Sequence, residues 1–108
     1  MVLLKLQITE MTYCPGETLI IRFEPVNGEK PKYLAGQFLT LVFDVAGKEL
    51  RRSYSLCSSP DVDEPLAIAI KRVENGEISR LLHHKTAVGD VLTAVEPNGR
   101  FNYKPELL

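Results

Sequence analysis

Arg51-Arg52-Ser53-Tyr54-Ser55-Leu56-Cys57-Ser58-Ser59 is the stretch from which the rest of the chain can be interpreted. It places two arginines, one phenol and several hydroxyls in an extended run that stops at Pro60. A guanidinium offers a fork of N–H donors that matches a phosphate, and a tyrosine ring offers a face for stacking. This composition suits an aromatic, phosphorylated ligand. It equally suits a solvated strand face whose arginines pair with Glu49 or another carboxylate, and both interpretations stay open at this point.

The patterns on either side of this stretch predict short antiparallel strands. Leu4, Leu6 and Ile8 alternate with polar residues, which is the period of a strand with one buried face. Turn-forming residues separate the later apolar runs, and a turn is also predicted over 96–101. The predicted strands cover residues 4–9, 18–23, 38–45, 49–57, 66–73 and 91–95, with one short amphipathic helix over 78–85. Because closure removes exposed edges, these elements predict an all-β, closed or nearly closed antiparallel barrel.

Composition excludes several classes of function. The chain of 108 residues is long enough for one domain with its own core. Its formal charge of -1 gives no general attraction to a phosphate backbone, so we expect no nucleic-acid partner. No apolar run reaches the length of a membrane span, and the first residues lack the pattern of a signal peptide, which predicts a cytoplasmic protein without membrane contact.

The cysteines and histidines predict no metal site. Cys14 and Cys57 form no C-x-x-C pair, and we expect both to be buried or half-buried reduced thiols. His83 and His84 are adjacent in the predicted helix, where neighbouring side chains point about 100° apart. With no third ligand evident, we expect both to be surface histidines.

A second candidate binding segment is Lys71-Arg72-Val73-Glu74-Asn75-Gly76-Glu77-Ile78-Ser79, where a strand end, a glycine turn and a helix start follow one another. The free N–H groups of a helix start favour an anion. The alternative is an ordinary connection in which Ser79 or Asn75 caps the helix and the cations are solvated. In a small barrel, the strand with Arg52 can lie beside the strand ending at Lys71, so that both segments could hold one pyrophosphate.

The sequence resembles a known family along nearly its whole length. Arg52-Ser53-Tyr54-Ser55 resembles the R-x-Y-S flavin signature of the ferredoxin-NADP reductase superfamily, and Gly36-Gln37-Phe38 resembles the G-Q-F turn that precedes it. The further matches, which are similar to reductase components of bacterial oxygenases of the phenylacetyl-CoA oxygenase type, are Arg51–Pro60, Ala69–Val73, Gly76, Ser79, Val88–Asp90 and Pro97–Phe101. The resemblance implies a six-stranded Greek-key barrel with one capping helix that binds FAD, with FMN as the alternative.

The resemblance also implies a role for each matched position. Arg52 contacts the flavin pyrophosphate, Tyr54 lies against the isoalloxazine and ribityl chain, and Ser55, the implied catalytic residue, lies near the reactive N5 edge. In a flat strand, Tyr54 and Ser55 point to opposite faces, so the strand must end or kink there, or Ser55 must act through its backbone. The other cofactor-binding positions that the resemblance implies are Ser53, Lys71, Arg72 and Val73, followed by Gly76, Glu77, Ile78 and Ser79 at the phosphates.

The implied activity is that of an NAD(P)H-dependent flavin oxidoreductase. A hydride passes from NADH or NADPH to flavin N5, and electrons then pass singly to an iron–sulfur or haem acceptor. Relatives continue into an NAD(P)-binding domain with a glycine-rich turn, and this sequence contains no G-x-G-x-x-G. We therefore expect a flavin-binding domain over 1–101 and the start of a linker to an absent NAD(P)-binding domain over 102–108, or else a barrel that works with a separate chain. The alternative class is a non-enzymatic barrel that binds another ligand or a protein partner.

Overall fold

The computed structural model of the chain describes residues 3–71 and 77–98. The strands are β1 (Leu3–Cys14), β2 (Thr18–Pro25), β3 (Phe38–Val45), β4 (Lys48–Ser55), β5 (Leu66–Lys71) and β6 (Val91–Asn98), and the helix α1 (Glu77–His84) lies between β5 and β6. All strand pairs are antiparallel and form one sheet in the order β4-β3-β6-β1-β2-β5. The predicted fold class, an antiparallel Greek-key barrel with one short helix, is confirmed, although the sheet is not fully closed.

The two edge strands, β4 and β5, meet at one end only. Leu56, the residue after β4, forms an isolated bridge with Ile68 of β5. The Cys57 N–H donates to the Ala67 carbonyl at 2.8 Å beside this bridge. Elsewhere in the described ranges, no ladder joins β4 to β5. Before this junction, the facing edges of β4 (Lys48–Ser55) and of residues 69–71 in β5 are not joined by a ladder, and we call the space between these two edges the seam.

The core is built from alternate side chains of the strands. In β2 and β5, for example, the partners Phe23 and Leu66, like Ile21 and Ile68, are fully buried. Directly opposite residues share a face of the sheet, so these pairs lie on the inner face. The helix contributes Ile78 and Leu82 to the same core. The fully buried core side chains are Leu6, Ile8, Leu19, Ile21, Phe23, Leu39, Leu41, Leu66, Ile68, Ile70, Ile78 and Leu82.

Three strands are longer than the sequence patterns predicted, and β2 is so by two residues, since it ends at Pro25. β1 runs to Cys14 rather than residue 9, because it continues to pair with β2 beyond a register shift between Ile8 and Glu10. β6 includes Pro97, although a turn was predicted from residue 96. Its ladder with β3 shifts register at this end, and such an irregularity accommodates a residue without an N–H.

The remaining boundaries differ less from the predicted ones. β3 has the predicted bounds, and β4 covers 48–55 where 49–57 was predicted. β5 is described as far as Lys71, so its predicted last residues, 72–73, and the predicted turn lie outside the described residues. The predicted turn residues 99–101 lie outside them as well. Within the described ranges, no helix is long and apolar enough to cross a membrane.

Two side chains have burial opposite to the prediction. His83 was predicted to lie at the surface, but it is buried, because Tyr13 packs against it and the Tyr13 hydroxyl donates to the His83 carbonyl at 2.9 Å. His84 is exposed, as predicted. Cys57 was predicted to be buried or half-buried but is exposed, because the inward positions are taken by its neighbours in sequence, whereas Cys14 is half-buried as predicted. Both thiols are free.

Candidate functional site

The R-x-Y-S motif lies on the edge strand β4, where its side chains alternate between two faces. Arg52 is paired with Leu41 of β3, and Tyr54 is paired with Leu39. Both leucines are fully buried, so Arg52 and Tyr54 point to the inner face of the sheet. Arg52 is nevertheless exposed and Tyr54 is only half-buried, because the seam leaves this side of β4 uncovered. The motif therefore presents a cation and an aromatic ring to the seam.

The two adjacent arginines have different environments. Arg51 points to the outer face, where its Nε donates to the Glu49 Oε2 at 3.0 Å. In the part of the chain that the structure describes, Arg52 has no ion pair, and its Nη1 donates to the Arg51 carbonyl at 2.8 Å. The interpretation of these arginines as surface ion pairs thus applies to Arg51. The charge of Arg52 remains available to a ligand at the seam.

The backbone of β4 directs further polar groups into the seam. The Leu56 N–H donates toward β3 at 3.1 Å, whereas the Cys57 N–H donates toward β5 at 2.8 Å. Hydrogen-bonding direction alternates along a strand, so the N–H and C=O groups of Ser53 and Ser55 point toward β5. Counting back from the bridge between β4 and β5 sets Ser53 across the seam from Lys71. The Ser53 N–H and C=O and the Ser55 N–H are therefore the backbone groups with which a planar ligand carrying acceptors and donors along one edge can pair.

Tyr54 and Ser55 lie at the end of β4, and their side chains point to opposite faces. The strand ends at Ser55, which is one of the predicted possibilities. The alternation of faces nevertheless continues, since Leu56 is buried and Cys57 is exposed. Ser55 has an exposed side chain on the face opposite to Tyr54. The arrangement favours a role for the Ser55 backbone at the seam.

The phenol of Tyr54 is perturbed by its surroundings. Burial raises the pKa of Tyr54, and the positive charge of Arg52 acts in the opposite direction with a smaller effect. A phenolate at this position would lose solvation, which is why the neutral form is favoured. Arg52 and Tyr54 lie two positions apart on the same face of β4, so one ligand can contact both groups.

We expect the Tyr54 phenol to ionise above pH about 10, the ordinary value for tyrosine. The folded-state pKa is raised, so this group's contribution to stability is complete below the unfolded pKa and is lost as pH rises through the folded pKa. Arg52→Ala should raise the pKa further, because the cation that favours the phenolate is removed. Tyrosinate absorbance as a function of pH measures this, with Tyr54→Phe to assign the step. A Tyr54 pKa at or below the ordinary value would contradict the expectation.

The second predicted segment is described only in part. Lys71 ends β5 opposite Thr18 and is exposed. Ile78 is 1% exposed, so its side chain belongs to the core and only its backbone is left for a ligand. Glu77 and Ser79 lie in the first turn of α1. The other predicted positions, Arg72, Val73 and Gly76, lie outside the described residues.

The turn before β3 supports the end of the R-x-Y-S strand. Gly36 has a φ of 89°, a left-handed conformation that favours glycine. Gln37 closes the turn, because its N–H donates to the Leu34 carbonyl at 3.2 Å and its Oε1 accepts from the Leu34 N–H at 2.8 Å. The Gln37 carbonyl accepts from the Leu56 N–H at 3.1 Å. The G-Q-F turn and the end of the motif strand are therefore held together directly.

Sequence reasoning assigned no role to two buried residues beside this turn. Tyr33 and Ser58 have their hydroxyl oxygens 2.7 Å apart, although they are 25 positions apart in the chain. Ser58 also accepts a hydrogen bond from the Ala67 N–H at 3.1 Å. No local pattern marks such a pair, because a hydroxyl in a turn-rich segment is usually solvated.

Comparisons with known proteins agree with this arrangement of motifs. Residues 5–103 match the family model for the oxidoreductase FAD-binding domain. The chain is 38% identical over 85 residues to ferredoxin–NADP reductase B of Sorangium cellulosum, covering 79% of this chain and 34% of that protein. It is 37% identical over 78 residues to one component of the 1,2-phenylacetyl-CoA epoxidase of Escherichia coli, covering 72% of this chain and 22% of that protein.

A solved structure extends the similarity to the fold. Phthalate dioxygenase reductase superposes with a TM-score of 0.80 at 27% identity, covering 95% of this chain and 32% of that one. That protein is described as a modular structure for electron transfer from pyridine nucleotides to [2Fe-2S]. The chain thus spans at most about a third of the length of each of these three proteins, 34%, 22% and 32%.

Proposed function

Because this chain belongs to the family of oxidoreductase FAD-binding domains, we propose that it holds FAD at the seam between β4 and β5 as the flavin domain of an NAD(P)H-dependent oxidoreductase. The observation that carries this location is the exposed Arg52 guanidinium, which has no carboxylate partner in the described ranges and lies on the same face of β4 as the half-buried ring of Tyr54. A phosphorylated ligand with a planar ring system requires such a combination.

The groups at the seam fit the chemistry of this cofactor. Arg52 would hold the pyrophosphate, and Tyr54 would pack against the ring system and ribityl chain. Ser53 and Ser55 would contact the ligand through backbone groups that point toward β5, with Ser55 at the reactive edge. FAD, when bound, accepts a hydride and delivers electrons to a second acceptor. The protein binds and orients the ring and covers one of its faces, and none of these tasks needs an acid, a base or a metal ion.

We further propose that electrons come from NADH or NADPH and leave to an iron–sulfur or haem acceptor. Support comes from phthalate dioxygenase reductase, the similar protein that is described as transferring electrons from pyridine nucleotides to [2Fe-2S]. The sequence lacks G-x-G-x-x-G, so an NAD(P)-binding domain or a separate chain would supply the nucleotide site. In this proposal residues 1–101 form the flavin domain and residues 102–108 begin the linker. The cytoplasmic location stays a prediction.

Titration of the purified chain with FAD, and separately with FMN, tests the cofactor. We expect FAD to bind, with quenched fluorescence and shifted visible absorption bands, because Tyr54 would pack against the ring. If the chain binds FMN but not FAD, its cofactor is FMN. A folded protein that binds neither flavin would contradict the proposed function.

The chain loaded with FAD should be reduced only slowly by NADH or NADPH. Hydride transfer requires the nicotinamide to be held close to the flavin ring, and this sequence has no glycine-rich dinucleotide turn to hold it. Flavin absorbance in an anaerobic stopped-flow experiment measures the rate. Dithionite, which needs no nucleotide site, serves as the control and should reduce the same sample fully. Rapid reduction by NADH or NADPH would show that this chain holds the nicotinamide by itself.

A further inference from the structure

A buried hydroxyl pair lies at the closed end of the seam. The Tyr33 hydroxyl and the Ser58 Oγ are 2.7 Å apart, and each residue is only 8% exposed. The Ser58 Oγ also accepts from the Ala67 N–H at 3.1 Å. Tyr33 precedes the G-Q-F turn, Ser58 follows the R-x-Y-S motif, and Ala67 lies in β5. The pair therefore connects three segments that are distant in sequence and that meet beside the junction of β4 and β5.

Ala67 is the anchor of these contacts. Its carbonyl accepts from the Cys57 N–H at 2.8 Å, and its N–H donates to the Ser58 Oγ. Both backbone groups of Ala67 are thus used by the two residues that follow the bridge between the edge strands. Ala67 is fully buried, so loss of the Ser58 hydroxyl would leave its N–H without a partner where water has little access.

We propose that Tyr33 and Ser58 are positioning residues, which fix the end of β4 relative to β5 and so determine the affinity and orientation with which the seam holds FAD. This inference rests on the proposed function. β4 and β5 meet only beside Leu56 within the described ranges, so the contacts at this point set the separation of the two edges. Tyr54 and Ser55 immediately precede it. A small displacement of this junction moves both residues relative to β5.

The pair is not the only contact that holds this segment. The Ser59 N–H donates to the Glu64 Oε1 at 2.6 Å, and the Leu56 N–H donates to the Gln37 carbonyl at 3.1 Å. Removing one hydroxyl should therefore displace the segment without unfolding the barrel. An effect on the cofactor can then be separated from an effect on the fold.

Two variants remove different parts of the pair. Tyr33→Phe removes the phenol hydroxyl and leaves the Ser58 Oγ with the Ala67 N–H, whereas Ser58→Ala removes both contacts. Tyr13→Phe is the matched control, because it deletes a tyrosine hydroxyl that donates to the His83 carbonyl at 2.9 Å, away from the seam. For each purified protein, fluorescence titration measures the Kd for FAD, visible circular dichroism reports the orientation of bound FAD, and urea unfolding measures stability.

We expect Tyr33→Phe to raise the Kd about fivefold and Ser58→Ala about tenfold or more, because Tyr33→Phe removes one contact of the junction and Ser58→Ala removes two; a lost hydrogen bond of about 1 kcal/mol sets the scale of the effect. Both should also change the visible circular dichroism of bound FAD, whereas Tyr13→Phe should change neither quantity. Tyr33→Phe decides the question by itself if Ser58→Ala does not fold.

The outcomes separate this inference from the proposed function. Failure of the wild-type chain to bind FAD would overturn both. Wild-type binding with an unaltered Kd and spectrum in folded Tyr33→Phe would overturn the positioning role alone. A raised Kd with an unaltered spectrum, in proportion to lost stability, would also overturn it, because that result describes a purely structural contact.

Discussion

Arg52→Ala is expected to raise the Kd for FAD by roughly tenfold or more, whereas Arg51→Ala should leave it close to the wild-type value. A charge-assisted hydrogen bond contributes on the order of 1.5–3 kcal/mol, and about 1.4 kcal/mol corresponds to a factor of ten in affinity. Arg52 points to the seam without a carboxylate partner in the described part of the chain. Arg52→Ala should therefore weaken FAD binding and leave the free energy of unfolding close to that of the wild type.

Arg51 is a closely matched control. It is adjacent in sequence and has the same charge, but it points to the outer face and donates to Glu49 at 3.0 Å. An exposed pair of this kind contributes about 0–1 kcal/mol to stability, so Arg51→Ala should have little effect on either folding or binding. Comparing the two variants removes the effect of net charge, which both lower equally.

A third variant separates charge from hydrogen-bond geometry at the same position. Arg52→Lys retains the positive charge but loses the planar fork of donors, so its Kd should lie between those of wild type and Arg52→Ala. Titrations at low and moderate salt measure the electrostatic contribution to FAD binding, which should be smaller in Arg52→Ala than in wild type. Equal losses of affinity in Arg51→Ala and Arg52→Ala would contradict the assignment of Arg52 to the phosphate contact.

Leu39→Ala is expected to cost about 2–5 kcal/mol of unfolding free energy, because it leaves a cavity in the core. Leu39 is 0% exposed, and it lies on β3 directly opposite Tyr54. For a domain of this size, each kcal/mol corresponds to a shift of about 4–8 °C in Tm. A change of this magnitude should be evident in both urea and thermal unfolding.

Leu34→Ala provides the matched control for that loss. The same atoms are removed, but Leu34 is 60% exposed, in the loop before the G-Q-F turn. Surface substitutions usually change stability by no more than about 0.5 kcal/mol. Urea unfolding of both variants tests the assignment of the core, and equal destabilisation by the two substitutions would contradict it.

Local patterns in the sequence predicted most of the fold. Alternation and turn residues predicted all the strands that the structure describes, and β3 has the predicted bounds. The largest errors occurred where pairing with a neighbouring strand overrode local signals, as at Cys14 and Pro97. A residue that resembles a turn in isolation becomes part of a strand when a partner supplies its hydrogen bonds.

The binding motif was evident from sequence, but its environment was not. The resemblance to R-x-Y-S identified the candidate strand and, within it, Arg52. Only strand pairing shows that Arg52 faces the buried side chains of β3 while the seam keeps it exposed. The roles of the residues at the proposed site remain predictions, among them Ser55 and the segment after β5.

The sequence by itself thus determined the class of fold and the order of the strands along the chain, since periodicity and turn chemistry act between near neighbours. Its resemblance to a known family identified the residues of the flavin motif. Tertiary structure decided which edges meet, which arginine is left for a ligand, why His83 is buried, and that Tyr33 is bonded to Ser58. These features depend on contacts between segments distant in sequence. A side chain's exposure is set by what the rest of the fold places against it, and no local pattern contains that information.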